Sequence, residues 1–297
     1  MGKALAEASA EARYVFQEID DALEQKLSKL MFGGPEDELT LTENAQPALM
    51  AVSMAALRVL EIEGGVNLAE KARFVAGHSL GEYSALAAAG VFTIADTARL
   101  LKTRGCAMQD AVPVGEGAMA ALLGLDLDTT RGVAEEASSV GVCMVANDNA
   151  PGQVVISGET AAVEKAMELA KEAGAKRAIL LPVSAPFHCS MMAPAADVMK
   201  DALGAVHMSH PAVPLVANVR ASMVADADTI RDLLVEQVTS MVRWTESVIF
   251  MKEQGVGTLV EIGAGKVLSG LARRIDRDLT ALNVGTPDEV ESVLGEL

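Results

Sequence analysis

Residues 117–184 set the tightest limit on what this chain can fold into. "GAMAALLGL" reads as a strand and "DTTRGVAEEASSV" as a helix. "VCMVANDNAPGQVVISG" reads as two strands joined by an Asn/Asp/Pro/Gly turn, "TAAVEKAMELAKEAG" as a helix closed by Gly174, and "AKRAILLPVS" as a strand. The order is βαββαβ within about 70 residues, which is the split-βαβ arrangement of a ferredoxin-like unit. The rest of the chain alternates differently. The segment from Ala4 to about Lys29 reads as helix, and a second helix runs from near Ala45 to about Ile62 with Thr42 at its N-cap. "ARFVAG" is a short β-branched strand, "LGEYSALAAAG" a small-residue helix ending at Gly90, and "TIADTARLLKTRGCAMQDA" a helix starting near Thr93 or Asp96. After the block come a helix, the strand "AVPLVANV", two helices, the strand "GTLVEIG", a helix and the strand "LTALNVG". The pattern predicts an α/β fold: a large α/β-hydrolase-like domain with a parallel sheet, residues 1–114 and 185–297, carrying a ferredoxin-like subdomain at 115–184.

Composition narrows the function. The net charge of −17 argues against non-specific binding to nucleic acid or an anionic membrane. A local anion site is still compatible with it, and Lys176-Arg177 and Arg273-Arg274 with Arg277 are the candidate clusters, the alternative being ordinary solvated charge. No uninterrupted apolar run reaches the ~20 residues that span a bilayer. The acidic, amphipathic start resembles neither a signal nor a transit peptide. Cys106, Cys143 and Cys189 form no C-x-x-C pair, which predicts reduced thiols in a cytoplasm and no metal site.

One stretch points to chemistry. In "RFVAGHSLGEYSAL", Gly77-His78-Ser79-Leu80-Gly81 fits G-x-S-x-G, a strand-to-helix elbow that exposes a serine hydroxyl above the N–H groups of the following helix. A serine nucleophile needs a base, and there are four histidines. His78 adjoins Ser79 and should point away from it, and His207 and His210 lie in the polar connection "AVHMSHPAVP". His188, in "PVSAPFHCSMM", follows a strand in the type of loop where α/β sites assemble, and is the best base by elimination. A small residue in a tight turn and a satisfied loop histidine are the bland alternatives.

Five segments in register, "GHSLGEYSALAAAG", "LLKTRGCAMQ", "NDNAPGQVVISG", "PVSAPFHCSMM" and "EIGAGKVLSGL", resemble the malonyl-CoA:acyl carrier protein transacylases, from residue 3 onward. The likeness is to stand-alone bacterial members, which load malonyl units for fatty-acid synthesis, rather than to a polyketide synthase domain. It implies that Ser79 carries the malonyl group as an ester, that His188 is general base and acid, and that the backbone carbonyl of Gln237 orients the imidazole. The same likeness implies that Leu80, the residue after the nucleophile, supplies an oxyanion N–H. It implies too that Arg104 grips the malonyl carboxylate, as a guanidinium can with two parallel hydrogen bonds. Gln46, Phe187 and Asn147 match pocket-lining positions, with Phe187 narrowing the pocket against branched acyl groups. No cofactor is implied, because phosphopantetheine arrives on the acyl carrier protein; Lys176, Arg177 and Arg273 are guesses for the patch that meets that acidic partner.

One departure stands out. Relatives begin with a strand and a loop of the type F-P-G-Q-G-S-Q, whereas here a helix starts almost at residue 1. The expectation is an internal start, with an unpaired sheet position and one oxyanion donor fewer, a change worth roughly 100- to 1000-fold in rate. Two other functions are compatible with the same elbow: a serine esterase or thioesterase, and a shortened, weakly active binder of CoA or carrier protein.

Overall fold

The computed structural model describes residues 1–297, and its first third is helical: α1 (Lys3–Ala8), α2 (Ala10–Ala22), α3 (Leu27–Gly33), α4 (Glu36–Thr40) and α5 (Thr42–Ile62). The single helix expected over Ala4 to Lys29 is broken at Ser9. That residue is extended, and its Oγ accepts from the Ala12 N–H at 3.1 Å, so it ends α1 and caps α2. Thr42 lies inside α5, with Leu41 at the cap, and its Oγ1 accepts from Gln46 Nε2 at 2.9 Å. By length and composition α5 is apolar enough to cross a membrane, yet 67% of its apolar window is buried inside the molecule. It is the central core helix.

Next come α6 (Leu68–Lys71), α7 (Leu80–Ala88) and α8 (Ile94–Asp110), the last capped by Thr93. Gly105 lets α8 approach α5 closely: a Cβ there would stand 2.5 Å from the Glu43 Cα. The ferredoxin-like unit consists of β1 (Gly117–Leu123), α9 (Leu127–Ala137), β2 (Cys143–Ala150), β3 (Gln153–Glu159), α10 (Thr160–Glu172) and β4 (Arg177–Leu180). Its strands lie in the order β4-β1-β3-β2, every neighbour antiparallel, with Ala120 opposite both Ile156 and Leu180. Ala120, Leu122, Val133, Ile156, Val163 and Ala166 make its own apolar core under α9 and α10.

The chain returns through α11 (Ala193–Ala205), β5 (Leu215–Ala217), β6 (Ser222–Val224), α12 (Ala227–Gln237), β7 (Val242–Arg243), α13 (Trp244–Glu253), β8 (Thr258–Ile262), α14 (Val267–Ile275), β9 (Thr280–Val284) and α15 (Pro287–Leu294). β7 pairs parallel with β2 and ties the two parts together. β8 and β9 pair parallel over their full length. The "ARFVAG" segment, expected as a strand, meets its neighbour at one parallel bridge, Val75 to Leu215. No ladder joins that bridge to β8, so the parallel part of the sheet is in two pieces. A segment paired on one side at a single residue does not build a regular strand.

Candidate active site

The site begins at the turn between Val75 and α7. Gly77 is required there, because a Cβ on it would lie 2.0 Å from the Gly81 backbone. Ser79 caps α7 with φ 54° and ψ −112°, a backbone conformation that costs a non-glycine residue about 1–3 kcal/mol. The turn lifts its side chain above α7. Leu80 is the first residue of that helix, so its N–H has no intrahelical acceptor and is free to donate at the serine.

His188 meets Ser79 from the loop after β4. Its Nε2 is 2.7 Å from Ser79 Oγ, and its Nδ1 is 2.9 Å from the Gln237 backbone oxygen. A carbonyl only accepts, so the proton sits on Nδ1 and the Nε2 lone pair faces the serine hydroxyl. Burial and the nearby Arg104 charge pull the imidazole down to about 3, so it is neutral at physiological pH.

Arg104, halfway along α8, is 1% exposed and has no ion pair. It donates to Gln46 Oε1 at 2.7 Å, to Gln237 Oε1 at 2.9 Å and to Ser79 Oγ at 3.1 Å, while its Nε has no partner. Burial lowers its pKa. A buried guanidinium held by neutral oxygens is undersupplied with negative charge, which is the condition for binding a carboxylate. The nearest acid, Glu82, reaches it only through Gln237, whose Nε2 donates to Glu82 Oε2 at 2.5 Å. Burial pushes the Glu82 carboxyl up to about 8, against the Gln237 and Asn218 N–H groups and the Arg104 charge. A cavity of about 310 Å³ opens over Ser79, Leu80, Arg104 and Gln46, between the Thr40–Thr42 turn, Met108 and the Pro182–Phe187 loop.

The structure thus brings Ser79, Leu80, His188, Gln237, Arg104, Gln46 and Phe187 together. Asn147 is the exception. It is buried on β2, paired with Val155 and Val242, and is not among the residues that line the cavity. The asparagine that reaches the elbow from β2 is Asn149, 2.8 Å from His78 Nε2, and this bond turns His78 away from Ser79. His207 and His210 are exposed. Lys176, Arg177, Arg273, Arg274 and Arg277 are exposed too, and none lines the cavity; Arg273 donates to the Ala281 carbonyl and Arg274 to Gln153. Sequence reading passed over Glu82 and Asn218. Each is a polar residue inside an apolar run, "LGEYSALAAA" and "PLVANV", and that was the available signal.

Known proteins resemble this chain along nearly its whole length. The acyl transferase domain family matches residues 1–281. The chain belongs to that family. The acyltransferase is 46% identical to the malonyl CoA-acyl carrier protein transacylase of Bacillus subtilis, covering 100% of this chain and 92% of that one. The Escherichia coli K12 protein of the same name is 47% identical over 94% of this chain and 89% of its own length. Among solved structures, the acyl-carrier-protein-S-malonyltransferase of Bartonella henselae superposes with a TM-score of 0.97 at 58% identity, over 99% of this chain and 95% of that one. A malonyl-transacylase in complex with a type II PKS acyl-carrier protein superposes with a TM-score of 0.95 at 44% identity, over 99% and 94% of the two chains. The fold is therefore α/β-hydrolase-like with a ferredoxin-like subdomain.

Proposed function

We infer that this acyltransferase moves the malonyl group from malonyl-CoA to the phosphopantetheine thiol of acyl carrier protein, in fatty-acid synthesis. The observation that carries this reading is the buried Arg104, unpaired with any acid and 3.1 Å from the nucleophile's oxygen. An esterase for simple acyl groups has no use for it. In the reaction, Ser79 Oγ attacks the thioester carbonyl and passes its proton to His188 Nε2. The Leu80 N–H stabilises the tetrahedral oxyanion. Collapse breaks the C–S bond, and the departing CoA thiolate takes the proton from His188, leaving malonyl-serine. The carrier protein's thiol then repeats the steps in reverse order. Throughout, the Gln237 carbonyl holds the imidazolium that forms at each transfer, and Arg104 holds the malonyl carboxylate through parallel hydrogen bonds.

The chemistry asks for no cofactor belonging to this chain, since the pantetheine arm comes with the partner. A cytoplasmic location is consistent with Cys106, Cys143 and Cys189 all being free thiols. The test is to load the protein with malonyl-CoA and with acetyl-CoA, then add either carrier protein or buffer. The reading expects preferential malonyl loading, cleared by carrier protein much faster than by water. Clearance by water at the same rate contradicts it and favours a thioesterase.

A further inference from the structure

The strain at Ser79 needs a cause elsewhere in the molecule, since such a backbone persists only where its surroundings over-determine it. The contacts converge on one side chain. Asn218, fully buried just after β5, accepts from the Ser79 N–H through Oδ1 at 2.8 Å and donates through Nδ2 to the Gly77 carbonyl at 2.7 Å. One carboxamide therefore grips the elbow on both sides of His78, standing in for the ladder bonds that stop at the Val75–Leu215 bridge. Reversing the amide would set donor against donor and acceptor against acceptor, so its orientation is fixed by the two bonds. Asn218 is itself anchored. Its N–H donates to Glu82 Oε1 at 3.4 Å and its carbonyl accepts from the Arg243 N–H at 3.0 Å. The Ser79 carbonyl is held separately, by Gln237 Nε2 at 3.0 Å and the Glu82 N–H at 3.0 Å. The Ser79 N–H is thereby committed to Asn218 and is not an oxyanion donor.

We propose that Asn218 is a positioning residue for acyl transfer, clamping the strained Gly77–Ser79 backbone so that Ser79 Oγ meets His188 Nε2 in line for attack. It touches neither substrate nor the reacting atoms, so its effect falls on the chemical step and not on acyl-CoA binding. Displacing a nucleophile by about 1 Å costs on the order of 100-fold in rate.

The test uses Asn218→Ala and Asn218→Asp in the full chain. Asn218→Ala removes both bonds; Asn218→Asp keeps the acceptor for Ser79 and opposes the Gly77 carbonyl with a second oxygen, so it covers the case in which Asn218→Ala does not fold. Rates of malonyl-serine formation are measured against malonyl-CoA concentration, per folded molecule, with folding checked by thermal unfolding. The expected result for Asn218→Ala is a loss of about 100-fold in the saturating rate with half-saturation unchanged within about threefold, and a smaller loss in the same quantity for Asn218→Asp. A saturating rate within about threefold of wild type in a folded variant overturns the proposal, as does a loss appearing only in half-saturation. The inference rests on the malonyl reading only in its choice of acyl donor. Labelling of Ser79 by a phenylmethylsulfonyl fluoride probe reads the same geometry without it. Wild type that takes the probe but not malonyl would fault the proposed function alone; Asn218→Ala labelled at the wild-type rate would fault the clamp alone.

Discussion

The ferredoxin-like unit and the Ser79 elbow are held together by opposite means. In the unit, four antiparallel strands in regular register cover their apolar face with α9 and α10, and Leu122 and Ile156 are fully buried without a polar neighbour being needed. At the elbow, the buried groups are Arg104, Glu82, Gln46, Gln237, Asn218 and His188, and the residue at their centre has a strained backbone. Apolar burial is tolerant of small shifts and builds a scaffold. A closed polar network is costly to break and fixes a few atoms in place. The comparison says where stability and where reactivity should respond to substitution.

The largest separation is expected from Ser79→Ala, which should abolish the acyl-enzyme and lower transfer by roughly a millionfold while leaving the folded unit intact, as rate assays and thermal unfolding will report. Arg104→Ala should follow, costing about 3–5 kcal/mol in malonyl transfer and far less in acetyl transfer. Equal losses for the two acyl groups in a side-by-side kinetic assay would remove Arg104 from specificity. On the other side of the comparison, Leu122→Ala should destabilise the fold by about 2–5 kcal/mol in denaturant unfolding, with the rate per folded molecule unchanged. Smaller still, Ser79→Gly should be more stable than Ser79→Ala by about 1 kcal/mol, because glycine accepts the φ of 54° without penalty. If the two variants unfold at the same denaturant concentration, the elbow stores no strain.

The pH response sharpens the same contrast. With His188 held down to about 3, the base is neutral far below the ordinary histidine range, so acylation should stay level from about pH 8 to about pH 5. A fall centred near about 6.5 in single-turnover rates would mean a solvated imidazole. Between about 3 and 6.5 the unfolded chain binds a proton at this histidine that the folded chain does not, so its contribution to stability is lost as pH falls through that window. Glu82 works in the other direction. Raised to about 8 from 4.5, it binds more proton when folded, so its stabilising share drains away as pH rises from 4.5 through 8. Wild type should therefore lose stability relative to Glu82→Gln as pH rises over that range.

The two regions also differed in how readable they were. The βαββαβ unit is legible because its elements are short apolar runs and amphipathic helices bounded by turn signals, from Gly174 after α10 to the Asn-Ala-Pro-Gly turn between β2 and β3. The short elements α4, α6, α15, β6 and β7 stay outside the sequence pattern, too brief to show a period even where Asn67 caps α6 and Thr286 with Pro287 opens α15, and Ser9 lies within the expected helix although its side chain caps α2. At the site, Ser79 and His188 could be picked from local pattern and elimination. Arg104, Gln46 and Gln237 came through family likeness, and Asn218 and Glu82 not at all. Asn218 lies 139 residues from the serine it holds, and a buried polar group acquires its partners only when the chain has folded. Local pattern carries no trace of that pairing.

The most direct measurement is intact-protein mass spectrometry after brief mixing with malonyl-CoA, with peptide mapping. The account predicts one malonyl adduct on the peptide holding Ser79, cleared on adding carrier protein and persistent in buffer. A folded protein with no adduct, or with the adduct on another peptide, would contradict it.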